Sequence, residues 1–442
     1  MTMLDTIDTA SALRQAVAEA HDRYRAENPK SAERQQEAAA HMPGGNTRSV
    51  LHYAPFPLAF ERGEGCHLWS ADGDRYTDFL GDYTAGLYGH SHPRIMQTLH
   101  EVLAKGISFG GHNLLEGQLA KLFCARFPSL DLVRFTNSGT ESNLMALATA
   151  SALTGRRGVL VFEGGYHGGV FSFAGGGSPI NAPYHFIVGS YNDQAGTAAL
   201  IQRHAGEIAA TLVEPMLGAG GSIPADAAFL HMLQDAAQRI GALFVLDEVM
   251  TSRLHPGGLQ ALHGLKPDIT SFGKYLGGGM SFGAFGGKRA IMEHYDPTRP
   301  GALPHAGTFN NNVLSMAAGI VGLSEILTEE ALVALNRRGD SLRDGLNAEA
   351  ARRGLAVQVT GLGSLMTVHF SAQPFSSAPP AAETQQLLKE LLFFDLLTER
   401  FWFARRAMIA LSLPVADNDC SAFIAAFGRF LDRRARLIEH TA

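Results

Sequence analysis

The arrangement of polar and apolar positions changes character twice, near residue 133 and again near residue 330. In the first stretch, residues 13–27 and 31–42 carry apolar positions at helical spacing, and Asn28-Pro29 separates them. Proline lacks the N–H that a helix interior needs, so the break is expected there. Residues 58–79 alternate apolar and polar around the turn Ala71-Asp72-Gly73-Asp74, the pattern of a small antiparallel sheet. Helical spacing returns at 93–105 and 114–127. From residue 132 onward, short apolar runs (132–135, 158–162, 208–213, 242–246 and a further run ending at Gly273) alternate with helical stretches at 142–153, 193–204 and 227–239. Runs apolar throughout suit parallel strands covered on both faces by helices. A helix is expected at 311–327. Beyond it, polar helices at 331–353, 383–400 and 419–437 flank short strands near 357–359, 365–370 and 408–411.

This pattern divides the chain into residues 1–90, with helices and a small sheet, a large α/β unit at 91–329, and an α+β segment at 330–442. The first and last segments are expected to form one small domain. No internal repeat interrupts the scheme.

Composition narrows the function classes. The chain has 442 residues, 46% hydrophobic and 18% charged, enough for a large buried core. A net charge of −6 with no basic tract argues against nucleic acid as a partner. Cys66, Cys124 and Cys420 are dispersed, with no CxxC pair or Cys/His cluster. Neither a disulfide framework nor a metal site is expected, and a reducing compartment is. No run reaches membrane-spanning length and the first residues lack an apolar signal core, so a cytoplasmic location and no membrane contact are expected.

Candidate chemistry sits at strand ends. Asp247 closes the run ALFVLD, and Lys274 follows the run DITSFG. In an open α/β sheet, ligands bind at the carboxyl ends of the strands. A desolvated lysine amine is neutral more readily and can attack an aldehyde, as in a Schiff base with pyridoxal phosphate. An ionised Asp247 against a pyridine nitrogen would keep that nitrogen protonated and make the ring an electron sink. Glu248, one residue on, should point to the opposite face. Lys288, followed by Arg289, reads as solvent-facing.

Other stretches leave two readings each. Ser138, Gly139 and Thr140 in FTNSGTESNL lie between a strand and a helix, where N–H groups suit a phosphate or the hydroxyls merely cap the helix. Tyr166 or His167 in GGYHGG offers a flat ring for stacking, or belongs to a surface turn. Glu214 in LVEPMLGAGG lies at the ligand edge or starts a loop. Val249 packs under a bound ring or in the core. Thr308 in AGTFNNNV opens a helix as a second phosphate ligand or as a cap. Arg48 in MPGGNTRSVL is a substrate contact or a solvated charge.

The order NSGTE, YHGG, VEP, DEVMTSR, GKYLGGG, GTFNNN resembles the class III pyridoxal-phosphate aminotransferases of fold type I, in the style of glutamate-1-semialdehyde aminomutase-like members. PGGNTRSVLHYAPFPL, YTAGLYGHSHP and GHNLLEG are similar to aromatic β-amino acid (β-phenylalanine) aminotransferases. The resemblance implies a mainly parallel seven-stranded sheet and a homodimer with active sites at its interface. It also implies pyridoxal 5'-phosphate held by Lys274, with Asp247 on the pyridinium nitrogen. Ser138, Gly139 and Thr140 would take the phosphate with Thr308 of the partner subunit, and Tyr166 and Val249 would cover the two ring faces. Arg48 would grip the substrate carboxylate. A second arginine is expected before the LSLP strand, at Arg406 or the adjacent Arg405. The implied reaction moves an amino group in ping-pong fashion from an aryl-bearing β-amino acid or related amine to a keto acid such as 2-oxoglutarate or pyruvate. FNNNV after the GT, and SRLHPGG after DEVMT, depart from the aminomutase pattern and favour transamination between two substrates. An aminomutase, an amine:pyruvate transaminase and a non-catalytic binding protein are the alternatives.

Overall fold

The computed structural model describes residues 3–380 and 382–440; for residues 3–8 it describes the backbone alone. Its centre is a seven-stranded sheet, in spatial order Leu132–Thr136, Gly283–Gly287, Ile269–Gly273, Leu243–Asp247, Ile208–Val213, Gly158–Phe162 and His185–Gly189. The last five are mutually parallel, and Gly283–Gly287 runs antiparallel to both its neighbours. The α/β fold read from the apolar runs is therefore the fold observed.

Both faces of this sheet are covered. Along Gly158–Phe162, Val159 and Val161 pack with Ala146, Leu147 and Val245 on one side. Leu160 and Phe162 pack with Phe229, Leu233, Phe244 and Leu246 on the other. Period-2 alternation thus divides one continuous apolar run between two cores. Each fully buried Phe or Leu contributes about 1.5–3 kcal/mol of transfer free energy. The same alternation turns Asp247 toward the face covered by helix Gly139–Thr154.

Two strands of the seven-stranded sheet went unread in the sequence. His185–Gly189 is an edge strand that follows a glycine- and proline-rich turn. Gly283–Gly287, GAFGG, looks like a loop by composition. It is fully buried, and its glycines sit where no side chain fits: a Cβ on Gly286 would lie 2.5 Å from Leu132 O, and one on Gly283 or Gly287 would strike Ser138 O or Asp268 O. Packing overrides β propensity here.

The two chain ends interlock. The antiparallel strands Phe60–Glu64, His67–Ser70 and Arg75–Asp78 gain a parallel fourth, Phe401–Trp402, from the far end of the chain. Gln358–Leu362, Leu365–His369 and Met408–Ala410 form a second antiparallel sheet. Helix Met3–Glu27 lies against Glu383–Thr398, with Leu13, Val17, Ala20 and Tyr24 buried. This helix is longer than the 13–27 read from periodicity, and the next, Pro29–Ala39, begins on the proline itself. The expected helix 311–327 is instead Val313–Val321 followed by a π turn, Gly322–Ile326, and Asn312 caps it. Thr308 therefore does not open that helix: it lies in the preceding turn, exposed. No helix among the described residues is long and apolar enough to cross a membrane, and no group of His, Cys, Asp and Glu among them could hold a metal ion.

Candidate active site

Asp247 ends the central strand with its side chain nearly sealed from solvent, 4% exposed. Three donors fix it. Oδ2 accepts from Asn143 Nδ2 at 2.8 Å and from His167 Nδ1 at 2.7 Å, and Oδ1 accepts the Val249 N–H at 3.0 Å. Asn143 stands one turn into helix Gly139–Thr154, and its Nδ2 also donates to His167 O at 2.9 Å. Burial acts against a charged His167, yet the Asp247 hydrogen bond and charge, with Glu214, hold its imidazolium above the ordinary histidine range. Oδ1 keeps room for a further donor. Two buried atoms beside the acid, Asn143 Oδ1 and the Oγ of Ser271, its register partner, have no hydrogen-bond partner among the described residues.

Glu248 takes the opposite face, as alternation requires. It is fully buried and accepts from Thr251 Oγ1, Leu259 N and Gln260 N, so it holds the following turn and helix rather than the site.

The turn after Leu132–Thr136 is the candidate phosphate cradle. Ser138 caps helix Gly139–Thr154, its hydroxyl accepting Glu141 N at 3.2 Å. The first-turn N–H groups of Gly139 and Thr140 have no intrahelical partner and face outward with the positive end of the helix dipole. A Cβ on Gly139 would sit 2.9 Å from both Val249 methyl groups, and one on Gly273 would lie 3.3 Å from Gly139 N. Thr140 Oγ1 accepts Gly169 N at 3.2 Å, which docks the GGYHGG turn onto the cradle. That turn splits its two rings: Tyr166 is 46% exposed and His167 is 3% exposed. Stacking is open to Tyr166, while His167 serves Asp247.

Lys274 follows Ile269–Gly273 and adopts a left-handed backbone, φ 57°. For a non-glycine residue this is strain of about 1–3 kcal/mol, held by the surrounding structure. Its amine has no hydrogen-bond or ion-pair partner among the described residues. Its side chain keeps some surface toward the cleft, yet the protein around it is dense enough that burial lowers its pKa to about 8. Asp82 and Asp247 oppose that shift, and Arg406 and Arg48 add to it.

Glu214 sits where strand Ile208–Val213 ends, 5% exposed, accepting Tyr166 N at 3.0 Å and Gly218 N at 2.9 Å. Burial pushes its carboxyl up to about 7; Asp247 adds to the shift, and His167 and the two N–H bonds reduce it. It therefore shapes the Tyr166 turn and the charge behind Asp247.

Toward the cleft mouth, Arg48 Nη1 donates to Asp82 Oδ1 at 2.7 Å, and the guanidinium lies 5.8 Å from the centre of the Tyr83 ring. Arg406 lies 5.0 Å from the same ring. Burial pulls its guanidinium below the usual arginine range, and Tyr83, Tyr166 and Glu214 act against that. Arg405 bonds Glu390 Oε2 at 3.1 Å and lines the cavity beside Asp82 and Tyr83. Lys288 pairs with Asp268 at 2.6 Å on the surface. Beside Asp82 and Tyr83 lies a cavity of about 330 Å³ walled by Tyr53, Phe60, Trp402 and Phe403; Lys274 is not among its walls, so it adjoins the cleft without reaching the amine.

The donor set matches pyridoxal phosphate in its parts. There is an amine without a partner among the described residues, a buried acid whose Oδ1 accepts one N–H, a helix N-terminus with glycine at 139, an exposed Tyr166 ring, and Val249 beside Gly139. Sequence reading missed Asn143, Asp82 and Tyr83. Only Tyr83 left a trace, as an aromatic beside glycines in GDYTAG.

Comparison with known proteins agrees. Residues 50–390 match the family model described as aminotransferase class-III. The chain is 51% identical to a beta-phenylalanine transaminase of Variovorax paradoxus over 97% of this chain and 99% of that protein. It is 34% identical to a glutamate-1-semialdehyde 2,1-aminomutase of Heliobacterium modesticaldum over 88% of this chain and 94% of that protein. The crystal structure of a beta-phenylalanine aminotransferase from Variovorax paradoxus superposes with a TM-score of 0.94, covering 96% of this chain and 98% of that one. The chain belongs to the class-III aminotransferases and is a pyridoxal-phosphate-dependent transaminase of fold type I.

Proposed function

We propose that the enzyme takes the amino group of an aryl-bearing β-amino acid of the β-phenylalanine type and delivers it to a keto acid such as 2-oxoglutarate or pyruvate. The observation that carries this reading is the pair of guanidiniums, Arg48 and Arg406, 5.8 and 5.0 Å from the centre of the Tyr83 ring, both acting electrostatically on Lys274. The 51% identity to a transaminase named for β-phenylalanine supports the substrate class.

Each residue's role follows from its surroundings. Lys274 holds the cofactor through its amine. Its lowered pKa leaves a useful fraction neutral near pH 7–8, so that once free Nζ can take the proton from the amine-bearing carbon of the donor. When bound, pyridoxal phosphate supplies the electron sink for that deprotonation. Asp247, oriented by Asn143 and His167, holds a proton on the ring nitrogen. Ser138, Gly139 and Thr140 take the phosphate, and Tyr166 and Val249 confine the ring. Glu214 fixes the Tyr166 turn. Arg48 binds the donor carboxylate, and Arg406 serves a carboxylate of either substrate. We further read residues 91–329 as the cofactor-binding domain, 1–90 and 330–442 as the small domain, and the working form as a cytoplasmic homodimer in which Thr308 of the partner subunit completes the phosphate cradle. The exposure of Thr308 is compatible with that role.

Arg48→Ala tests the substrate grip. Loss of a charge-assisted contact should cost on the order of 2–3 kcal/mol, or about thirtyfold or more in KM for 3-amino-3-phenylpropanoate, with little change for 1-phenylethylamine. Equal effects on the two donors in steady-state kinetics would count against Arg48 as the grip.

A further inference from the structure

Gly81, Asp82, Tyr83 and Thr84 all adopt left-handed backbone, with φ of 52°, 44°, 52° and 82°. Three of them carry side chains, and Tyr and Thr are poorly suited to that region. Strain of this kind persists only where the surroundings over-determine it. They do so here. Buried Asp78 accepts Leu80 N at 2.7 Å and Gly81 N at 3.0 Å on one oxygen and pairs with His90 Nε2 at 2.9 Å on the other. Gly86 N closes the turn on Gly81 O at 2.8 Å, and Ala410 N ties Phe79 O at 2.7 Å.

This loop delivers two side chains to the cleft mouth. Tyr83 has both guanidiniums near its ring. Asp82 occupies Arg48, and of the charges acting on Lys274 it has the largest effect. The arginines differ in this respect. Among the described residues Arg406 has no acid partner: its Nη2 contacts Met408 Sδ and its Nε has no hydrogen-bond partner. Arg48 carries a carboxylate already.

We propose that Asp82 is an internal counter-ion of Arg48, displaced by the incoming donor carboxylate, and thereby a specificity-determining residue that narrows the preference for carboxylate-bearing over neutral amines. The proposal rests on the reading of Arg48 as the carboxylate grip. The Arg48 and Asp82 side chains are 47% and 55% exposed, so solvent screens their pair and it opens readily. A carboxylate arriving at Arg48 exchanges one charge-assisted bond for another. A neutral aryl amine leaves the pair intact. Asp82 therefore weakens binding of the first class alone.

The test is calorimetric titration of the holoenzyme with 3-phenylpropanoate, which has the carboxylate and no reacting amine, and with its neutral counterpart 3-phenylpropanamide. Asp82→Asn keeps the side-chain shape, and asparagine is among the residues best tolerated at positive φ, so the loop is retained. Expected are binding of 3-phenylpropanoate about two- to fivefold tighter in Asp82→Asn and unchanged binding of the amide. In the Arg48→Ala background, Asp82→Asn should give no tightening. Unchanged or weaker 3-phenylpropanoate binding in Asp82→Asn, or tightening that persists without Arg48, overturns the counter-ion role while leaving the grip standing. If Arg48→Ala alone leaves 3-phenylpropanoate binding unchanged, the grip itself fails, and the counter-ion role falls with it.

Discussion

Asp247 and Lys274 are held in opposite ways. The acid is fixed by three donors, whereas the amine has no partner among the described residues and sits on a strained backbone. That contrast predicts where the cofactor attaches. Borohydride treatment of the holoenzyme should fix it covalently to the peptide containing Lys274 and to none in Lys274→Ala; attachment at Lys288, already paired with Asp268, would refute the assignment. Glu214 gives a pH signature. Its folded-state pKa of about 7 lies above the ordinary carboxylate value of 4.5, so between these the folded protein binds more protons than the unfolded chain. Stability linked to this group is full below the ordinary value and is lost as pH rises through about 7, on the order of 3 kcal/mol in all. In urea unfolding of the apoprotein, Glu214→Gln should therefore gain on the wild type as pH rises from about 5 to about 8. A stability difference independent of pH would show that Glu214 is ionised throughout.

At the scale of elements, the cradle is a strand, a turn and a helix entry that fit because no side chain intervenes. Gly139, Gly273 and Val249 pack closely, and the glycines of strand Gly283–Gly287 leave no room for side chains either. Gly139→Ala should crowd Val249 and cost about 1–3 kcal/mol, read as weaker pyridoxal phosphate retention in equilibrium dialysis. Wild-type retention would mean that Val249 yields. The strand–turn–helix order was legible from the apolar run, the hydroxyls and the glycine. The GAFGG strand was not, because its reason to exist is the closeness of its neighbours and not its own propensity.

At the scale of the molecule, apolar surface gathers near the turn that carries Thr308. Phe109, Leu114 and Phe309 are 55%, 88% and 63% exposed, and Asn113 Nδ2 bonds Asn311 O at 2.8 Å, tying the two segments together. Clustered exposure of this kind marks an interaction surface. If the proposed homodimer uses it, Phe309→Arg should shift sedimentation toward monomer and reduce cofactor retention together. Dimerisation unchanged by that substitution would place the interface elsewhere.

The sequence by itself determined the α/β class, most helices and strands, and the chemistry at the ends of two strands. Those depend on local periodicity, on glycine and proline, and on which residue closes an apolar run, all visible within a short window. Tertiary structure alone decided which side chains meet. Asn143 reaches Asp247 across 104 positions, His167 across 80, and Arg48 meets Asp82 across 34. It also decided that Arg406 lies over the Tyr83 ring while Arg405 bonds Glu390, since adjacent residues of one composition are separated only by backbone direction. The left-handed run from Gly81 to Thr84 belongs to the same class: nothing in DYT announces positive φ, and the buried Asp78 with its His90 partner enforces it from outside the segment.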